Sequence, residues 1–322
     1  MGRYIASRTG SSLLVLLGAS LILFVAVRLV PGDPVTTQLG AAGIANPELV
    51  ARTIASYGLD KPLPVQYFAW LSHVVTGDFG FSLVSGERVT DIVSRRIGPS
   101  LLLGGAASAA GLGLGLVWGI AAGYLSGAFR RILRGAPMFV LVVPSFSVGL
   151  AVVFLFAVSL RLLPSSGISS PLEGDQQSLG SLIAHLILPT IALCLVPASL
   201  VARLTYATID EVEQEEYVRT ARALGIPALR VAVQHSLPNV LLPIITTGGL
   251  LVSALITNAV LIESVFSWPG LGTMMITAVQ QRDYTVVQAG VLVVAVVYVL
   301  SSLVVDGLYL AADPRVRNPP TE

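Results

Sequence analysis

Between two apolar stretches of this 322-residue chain lies its densest run of charge: Asp210, Glu211, Glu213, Glu215, Glu216, Arg219 and Arg222. The remaining residues offer little that could perform chemistry. His73, His185 and His235 are far apart, and with the single Cys194 they present no metal-ligand spacing. Neither a G-x-S-x-G elbow nor an H-E-x-x-H pair occurs. A phosphate-cradling Walker loop needs lysine after glycine, yet the only lysine, Lys61, is followed by Pro62. The residues therefore predict no catalytic set, no metal and no cofactor bound by this chain.

The elements around that charged run are apolar. The chain is 54% hydrophobic and 11% charged, with mean hydropathy +0.81; soluble domains carry about 25% charged residues. A net charge of +1 gives no field to draw nucleic acid. Six stretches, 10–30, 99–125, 135–160, 182–204, 239–264 and 285–311, have the roughly 20 residues a helix needs to cross a bilayer. The first follows Arg3 and Arg8 and lacks a small-x-small cleavage site, so it reads as a span and not as a removed signal. One set of loops holds Arg3, Arg8, Arg130, Arg131, Arg134, Arg203, Arg219, Arg222, Arg230, Arg315 and Arg317. The other holds Arg52, Lys61, Arg88, Arg95, Arg96, Arg161 and Arg282, mostly in one long loop. The positive-inside rule then makes both termini and the charged run cytoplasmic. Arg95 and Arg96 lie against the rule, close to the second span on the outer side.

Several features within this frame have two readings. Arg28, His185, Glu263 and Asp306 fall within or at the edges of spans, where each is either functional or a locally bonded helix-end residue. Gly111, Gly115, Gly119 and Gly123, extended by Ala107, lie on one helix face and predict close helix packing. Pro189 and Pro197 predict kinks in the fourth span. Thr246, Ser253 and Thr257, with Asn258 beside them, form a stripe that either lines a solute path or bonds helix to helix. The outer loop 31–98 predicts a helix starting at Asn46 and stopping at Gly58, and another from Pro64 to Thr76 closed by Gly77. This cap either packs on the outer rim or meets an external partner.

The charged run has its own grammar. The acidic residues from Asp210 to Glu216 read as loading the start of a first helix, favourable at its positive end. Glu215 stands one turn before Arg219, and Tyr217, Ala221 and Leu224 form an apolar face. Gly225 predicts a left-handed turn and Pro227 the start of a second helix, 227–236, with Leu229, Ala232 and Val233 as its apolar face. Helices this short need something to dock on; the alternative is an amphipathic loop on the membrane surface.

This stretch resembles the cytoplasmic coupling loop of ABC importer permeases, with the pattern E-A-A-x-x-x-G, nine residues, I-x-L-P. Arg219, Thr220 and Ala221 match its start, Gly225 its glycine, and His235, Leu237 and Pro238 its end, with 226–234 between. Arg, Thr and His replace the usual Glu, Ala and Ile. An R-T-A-R-A form, here with Arg222, is similar to the dipeptide/oligopeptide branch, and the chain resembles that branch's first permease subunit. PGDP at 31–34, GLDKPLPVQY at 58–67, GDFGFS at 77–82, SVFSWPGLG at 264–272 and DPR at 313–315 agree.

The resemblance implies a single transmembrane domain over 1–322. It comprises a first span, an external helical loop 31–98, a five-span core 99–312 and a coupling loop 205–238. It implies a prokaryotic cytoplasmic membrane, a second permease subunit, two cytoplasmic ATPase subunits carrying ATP and Mg, and an external peptide-binding protein. Nickel or glutathione is the alternative solute within the branch. A self-sufficient secondary carrier is a different class, disfavoured by the lack of paired inverted repeats or an intramembrane carboxylate chain.

Overall fold

The computed structural model describes residues 2–29, 48, 60–82, 84–167, 179–227, 230, 234, 244 and 258–312. The readings at Asn46 and Gly58, at Leu229, Ala232 and Val233, at His235, Leu237 and Pro238, at Thr246, Ser253 and Thr257, and over most of 239–264 lie outside the described residues. Among the described residues the architecture is helical: α1 Gly2–Leu29, α2 Leu63–Val75, α3 Val89–Tyr124, α4 Gly127–Val142, α5 Ser145–Val152, α6 Leu179–Val212, α7 Glu216–Ala223, α8 Leu271–Gln280 and α9 Tyr284–Ala312. Residues 258–265 are also helical. Arg8–Leu29, α3, α6 and Tyr284–Gly307 are long and apolar enough to cross a membrane.

The expected third span is not one straight helix. α4 and the helical stretch Ser145–Ser159 meet at a 105° bend. Pro144 causes it, because its ring forces Val143 into extended backbone (φ −80°, ψ 125°) and it has no N–H to offer α4. Its carbonyl then accepts from Ser147 and Val148 to begin α5, which continues as a π-helix over Val153–Ser159. Pro189 and Pro197, by contrast, lie buried within a continuous α6. The second predicted outer-loop helix is α2, closed by Gly77 at φ +81°.

The chain divides into two compact units, Pro99–Pro269 with Leu300–Glu322, and Gly2–Gly98 with Gly270–Val299. In the first, the glycine row of α3 is a seam against α6. A Cβ on Gly111 would stand 3.0 Å from Pro197 Cβ, and one on Gly115 2.6 Å from Val201 Cβ. One on Gly119 would collide with Thr205, and one on Gly123 would press on Ile209. Both rows step by four residues, one helical turn, so the backbones lie against each other along the seam. Leu103, Ala107, Leu188, Ala192, Ile262, Phe266 and Trp268 form a buried core in the same unit.

In the second unit, Val89 and Val93 of α3 pack with Leu271, Met274 and Ala278 of α8 and Val286 and Ala289 of α9. Gly290 admits the Met274 and Met275 side chains. α2 is bonded to α1 at one place: Ser20 bonds Tyr67 at 2.8 Å, Phe24 meets the Tyr67 ring edge-on, and Arg28 donates to Gln66 Oε1 at 2.7 and 3.1 Å. The Arg28 guanidinium also sits 3.5 Å above the Phe24 ring. Arg28 is thus tied to a neighbouring helix.

The seam makes a sharp prediction. Gly119→Leu forces α3 from α6 and lowers stability by about 1–3 kcal/mol, the usual cost of overpacking. Gly113→Leu, whose Cβ would meet nothing within 4 Å, leaves stability unchanged. Thermal unfolding of the detergent-solubilised chain distinguishes them, and equal melting of the two variants would refute the seam.

Candidate functional site

The charged run divides between two helices where the sequence predicted one. Asp210 and Glu211 belong to the last turn of α6, and only Glu216 lies in the first turn of α7. The predicted acidic loading of the first coupling helix is therefore corrected, and α6 reaches Val212, past the expected start of the loop at 205. A carboxylate at a helix C-terminus faces the negative end of the dipole and is unfavourable there. Two arginines of α4 offset it. Arg134 grips both Asp210 oxygens at 2.8 Å, and Arg130 reaches Oδ1 at 3.1 Å. Arg134 also donates to the Ala122 carbonyl of α3 at 3.0 Å and faces the Tyr206 ring. Trp118 adds a bond from Nε1 to the Leu133 carbonyl at 2.9 Å. One end of α3, α4 and α6 is thereby locked, and α7 is built on that end.

α7 starts where the Glu215 carbonyl accepts from the Val218 and Arg219 amides. Its buried face is Val218 and Ala221, packed with Val212 and the partly buried Ile226. The predicted apolar face is thus only partly correct: Ala221 is buried, but Tyr217 is 44% and Leu224 76% exposed. Val218, one residue round the helix from Tyr217, turns inward and rotates the other two outward. Eight residues do not hold a helix alone, and burying a valine contributes about 1.5–3 kcal/mol, so this cluster is what keeps α7 formed.

The helix ends as the glycine predicted. Gly225 has φ +78°, the Ile226 amide bonds the Ala221 carbonyl at 3.1 Å, and Ile226 packs back on Ala221. This is the Schellman closure, a six-residue hydrogen-bonded loop with its hydrophobic contact. Arg219 and Thr220 are exposed, with the Thr220 hydroxyl turned onto the Glu216 carbonyl at 2.9 Å. Glu215 and Arg219 form no ion pair. Arg222 lies in the helix, Pro227 is exposed just past the turn, and Asn258 is exposed and helical, the first described residue of 258–265.

A second polar centre was not foreseen. Glu263, read as a charge at the end of a span, is 1% exposed and accepts from Ser100 Oγ at 2.5 Å. Ser267 turns the chain at φ +48°, bringing the Trp268 amide to the Glu263 carbonyl at 2.8 Å. The Trp268 indole N–H reaches the Pro99 carbonyl at 3.0 Å. Glu263 and Trp268 thus bond α3 at two successive residues, Ser100 and Pro99. Nothing local could have paired Ser100 with a residue 163 positions away. Among the described residues, His185 bonds the Ser181 carbonyl alone, one turn back.

The model of the inner membrane component of binding-protein-dependent transport systems matches residues 115–318, and that of the N-terminal region of the membrane component of such systems matches 1–101. The chain belongs to this family. It is 37% identical to the di/tripeptide transport system permease protein DppB of Pseudomonas aeruginosa, over 98% of each chain. It is 36% identical to the dipeptide transport system permease protein DppB of Escherichia coli, over 99% of each. An inward-facing methionine ABC transporter structure shares the fold, with TM-score 0.55 at 16% identity over 69% of this chain and 96% of that one. A multi-pass permease therefore carries the Gly225 helix-turn.

The lock at Asp210 orders the permease's charge substitutions. Asp210→Ala strands two arginines and costs about 1 kcal/mol, the upper end for a part-exposed pair. Arg130→Ala costs less, because Arg134 keeps the fork, and Arg134→Ala costs most, because the Ala122 carbonyl also loses its donor. Thermal melting in detergent reads the order; Arg130→Ala as the most damaging change would contradict it.

Proposed function

We propose that this permease is one of two membrane-spanning subunits of an ATP-driven importer for di- and oligopeptides, with both termini and α7 on the cytoplasmic side. The observation that carries the solute is the near-complete match to permeases named for dipeptides and di/tripeptides. The chain itself is non-catalytic: separate ATPase subunits hold ATP and Mg, and an external peptide-binding protein delivers the solute. α7 serves as the coupling knob, presenting Tyr217, Arg219, Thr220 and Leu224 to the ATPase while Val218 and Ala221 anchor it to the permease. What supports this division is that Tyr217 on α7 and Leu224 just past its end leave large apolar side chains exposed. Closure of the ATPases would then move α6 through α7 and bias the spans between inward- and outward-facing states. Thr246, Ser253, Thr257 and Asn258 are the pathway candidates, and Glu215, Glu216, Arg222, Pro227, His235, Leu237 and Pro238 complete the coupling loop.

An amino-acid auxotroph fed its requirement as a dipeptide tests the solute. Deleting the permease gene abolishes growth on the dipeptide and spares growth on the free amino acid. Unchanged growth on di-, tri- and longer peptides, with uptake of glutathione or nickel lost instead, would move the solute elsewhere in the branch. Coupling is read separately. Arg219→Glu and Leu224→Asp, both exposed and outside the folding cluster, reduce co-purification of the ATPase subunits and abolish uptake. Retained assembly with normal uptake in both would sink the role of α7.

A further inference from the structure

The Gly2–Gly98 with Gly270–Val299 unit contains a cleft of about 210 Å³ to which the reading above assigns no role. Ser82, Ser85, Arg96, Thr277, Gln281 and Asp283 line it. Some of these groups are committed to the fold. The Thr277 hydroxyl donates to the Thr273 carbonyl, and Ser82 Oγ donates to Asp283 Oδ2 at 2.5 Å. Asp283 Oδ1 accepts the Val286 amide at 3.3 Å, which caps α9. Three donors are left over. Arg96, half-buried, makes no hydrogen bond or ion pair among the described residues, whereas its neighbour Arg95 holds Glu87 at 2.6 Å. The Gln281 side-chain amide has no partner among them either, and Ser85 Oγ accepts from the Glu87 backbone amide while its own proton has no acceptor.

A guanidinium partly withdrawn from water is costly without a counter-charge. A guanidinium fork, a hydroxyl and an amide N–H converging on one space match a carboxylate, which accepts up to four bonds. Size decides how that carboxylate arrives. Pockets that enclose a whole small molecule run from about 300 to 1,000 Å³, so this cleft takes the end of one side chain and not a peptide. The lip decides what presents it. Phe81 and Val84 alternate with Ser82 and Ser85 on the same turn and are more than half exposed. Large apolar side chains beside a slot for charge are the anatomy of a protein interface.

We propose that the Arg96 cleft receives an aspartate or glutamate side chain of the external solute-binding protein. This rests on the importer reading and its orientation, which puts 31–98 and Arg282 outside.

The test uses the complete transporter in lipid nanodiscs, titrated with the solute-binding protein that stimulates its ATPase. Arg96→Gln raises the half-saturating concentration about tenfold or more, as loss of a partly desolvated charge pair does, and Arg96→Glu raises it further. Val84→Asp, which leaves the guanidinium in place, weakens docking through the lip and keeps the test open if Arg96→Glu fails to assemble. Added salt weakens the wild type more than Arg96→Gln. An acidic-to-arginine substitution on the binding protein that restores Arg96→Glu, and no other variant, identifies the incoming carboxylate. Unshifted titrations of both Arg96 variants in a normally stimulated complex overturn this inference alone. Arg96-dependent binding of acetate or a free dipeptide without the binding protein overturns it in favour of a solute site. A wild-type complex that no solute-binding protein stimulates overturns the importer reading itself.

Discussion

Close approach of two backbones is the constraint on which the larger unit depends. In lipid, apolar side chains gain little by leaving one apolar surface for another, so helices associate through van der Waals contact and hydrogen bonds. The α3–α6 seam supplies that contact by leaving side chains out of one helix where Pro197, Val201, Thr205 and Ile209 need the room. The consequences run along the helix. Ile209 sets the level of the next residue, Asp210, and Gly123 sets that of Ala122, whose carbonyl and the Asp210 carboxylate are both held by Arg134. The seam thereby fixes the register of the charge lock, and the lock fixes the platform beneath α7.

How much of this was legible in the sequence depended on the range of the forces involved. Gly225 announced its turn because only a residue without Cβ sits easily at positive φ, and a non-glycine residue there costs about 1–2 kcal/mol. The glycine row announced a close contact because its period matches one helix face. The acidic run was misdivided because a string of Asp and Glu does not say where one helix ends and the next begins. That boundary is set by Arg130 and Arg134, which make a C-terminal carboxylate tolerable. Proline was similarly ambiguous. Pro144 breaks its helix, whereas Pro189 and Pro197 are carried through one, with Pro197 seated in the space Gly111 provides. Missing amides are local facts; whether neighbours compensate for them is not.

Three polar groups in the apolar segments find partners far away in the chain. Glu263 finds Ser100, the Trp268 indole finds Pro99, and Arg28 finds Gln66, each across a long stretch of sequence. An unsatisfied polar group away from water costs several kcal/mol, so each pair restricts which segments can be neighbours. Apolar packing alone tolerates sliding; these bonds do not. They give the apolar spans a definite arrangement that their hydrophobicity could not specify.

α6 has 34 residues, about 51 Å at 1.5 Å per residue, whereas a hydrocarbon core is about 30 Å thick. The surplus makes α6 a lever. Because α7 is packed onto its last turn, the lever needs no separate linkage at its tip. A tilt of about 6° over that length displaces the tip by roughly 5 Å, about one turn of helix. A small rotation of α6 as one rod would therefore reach α7 as a displacement of a few ångströms.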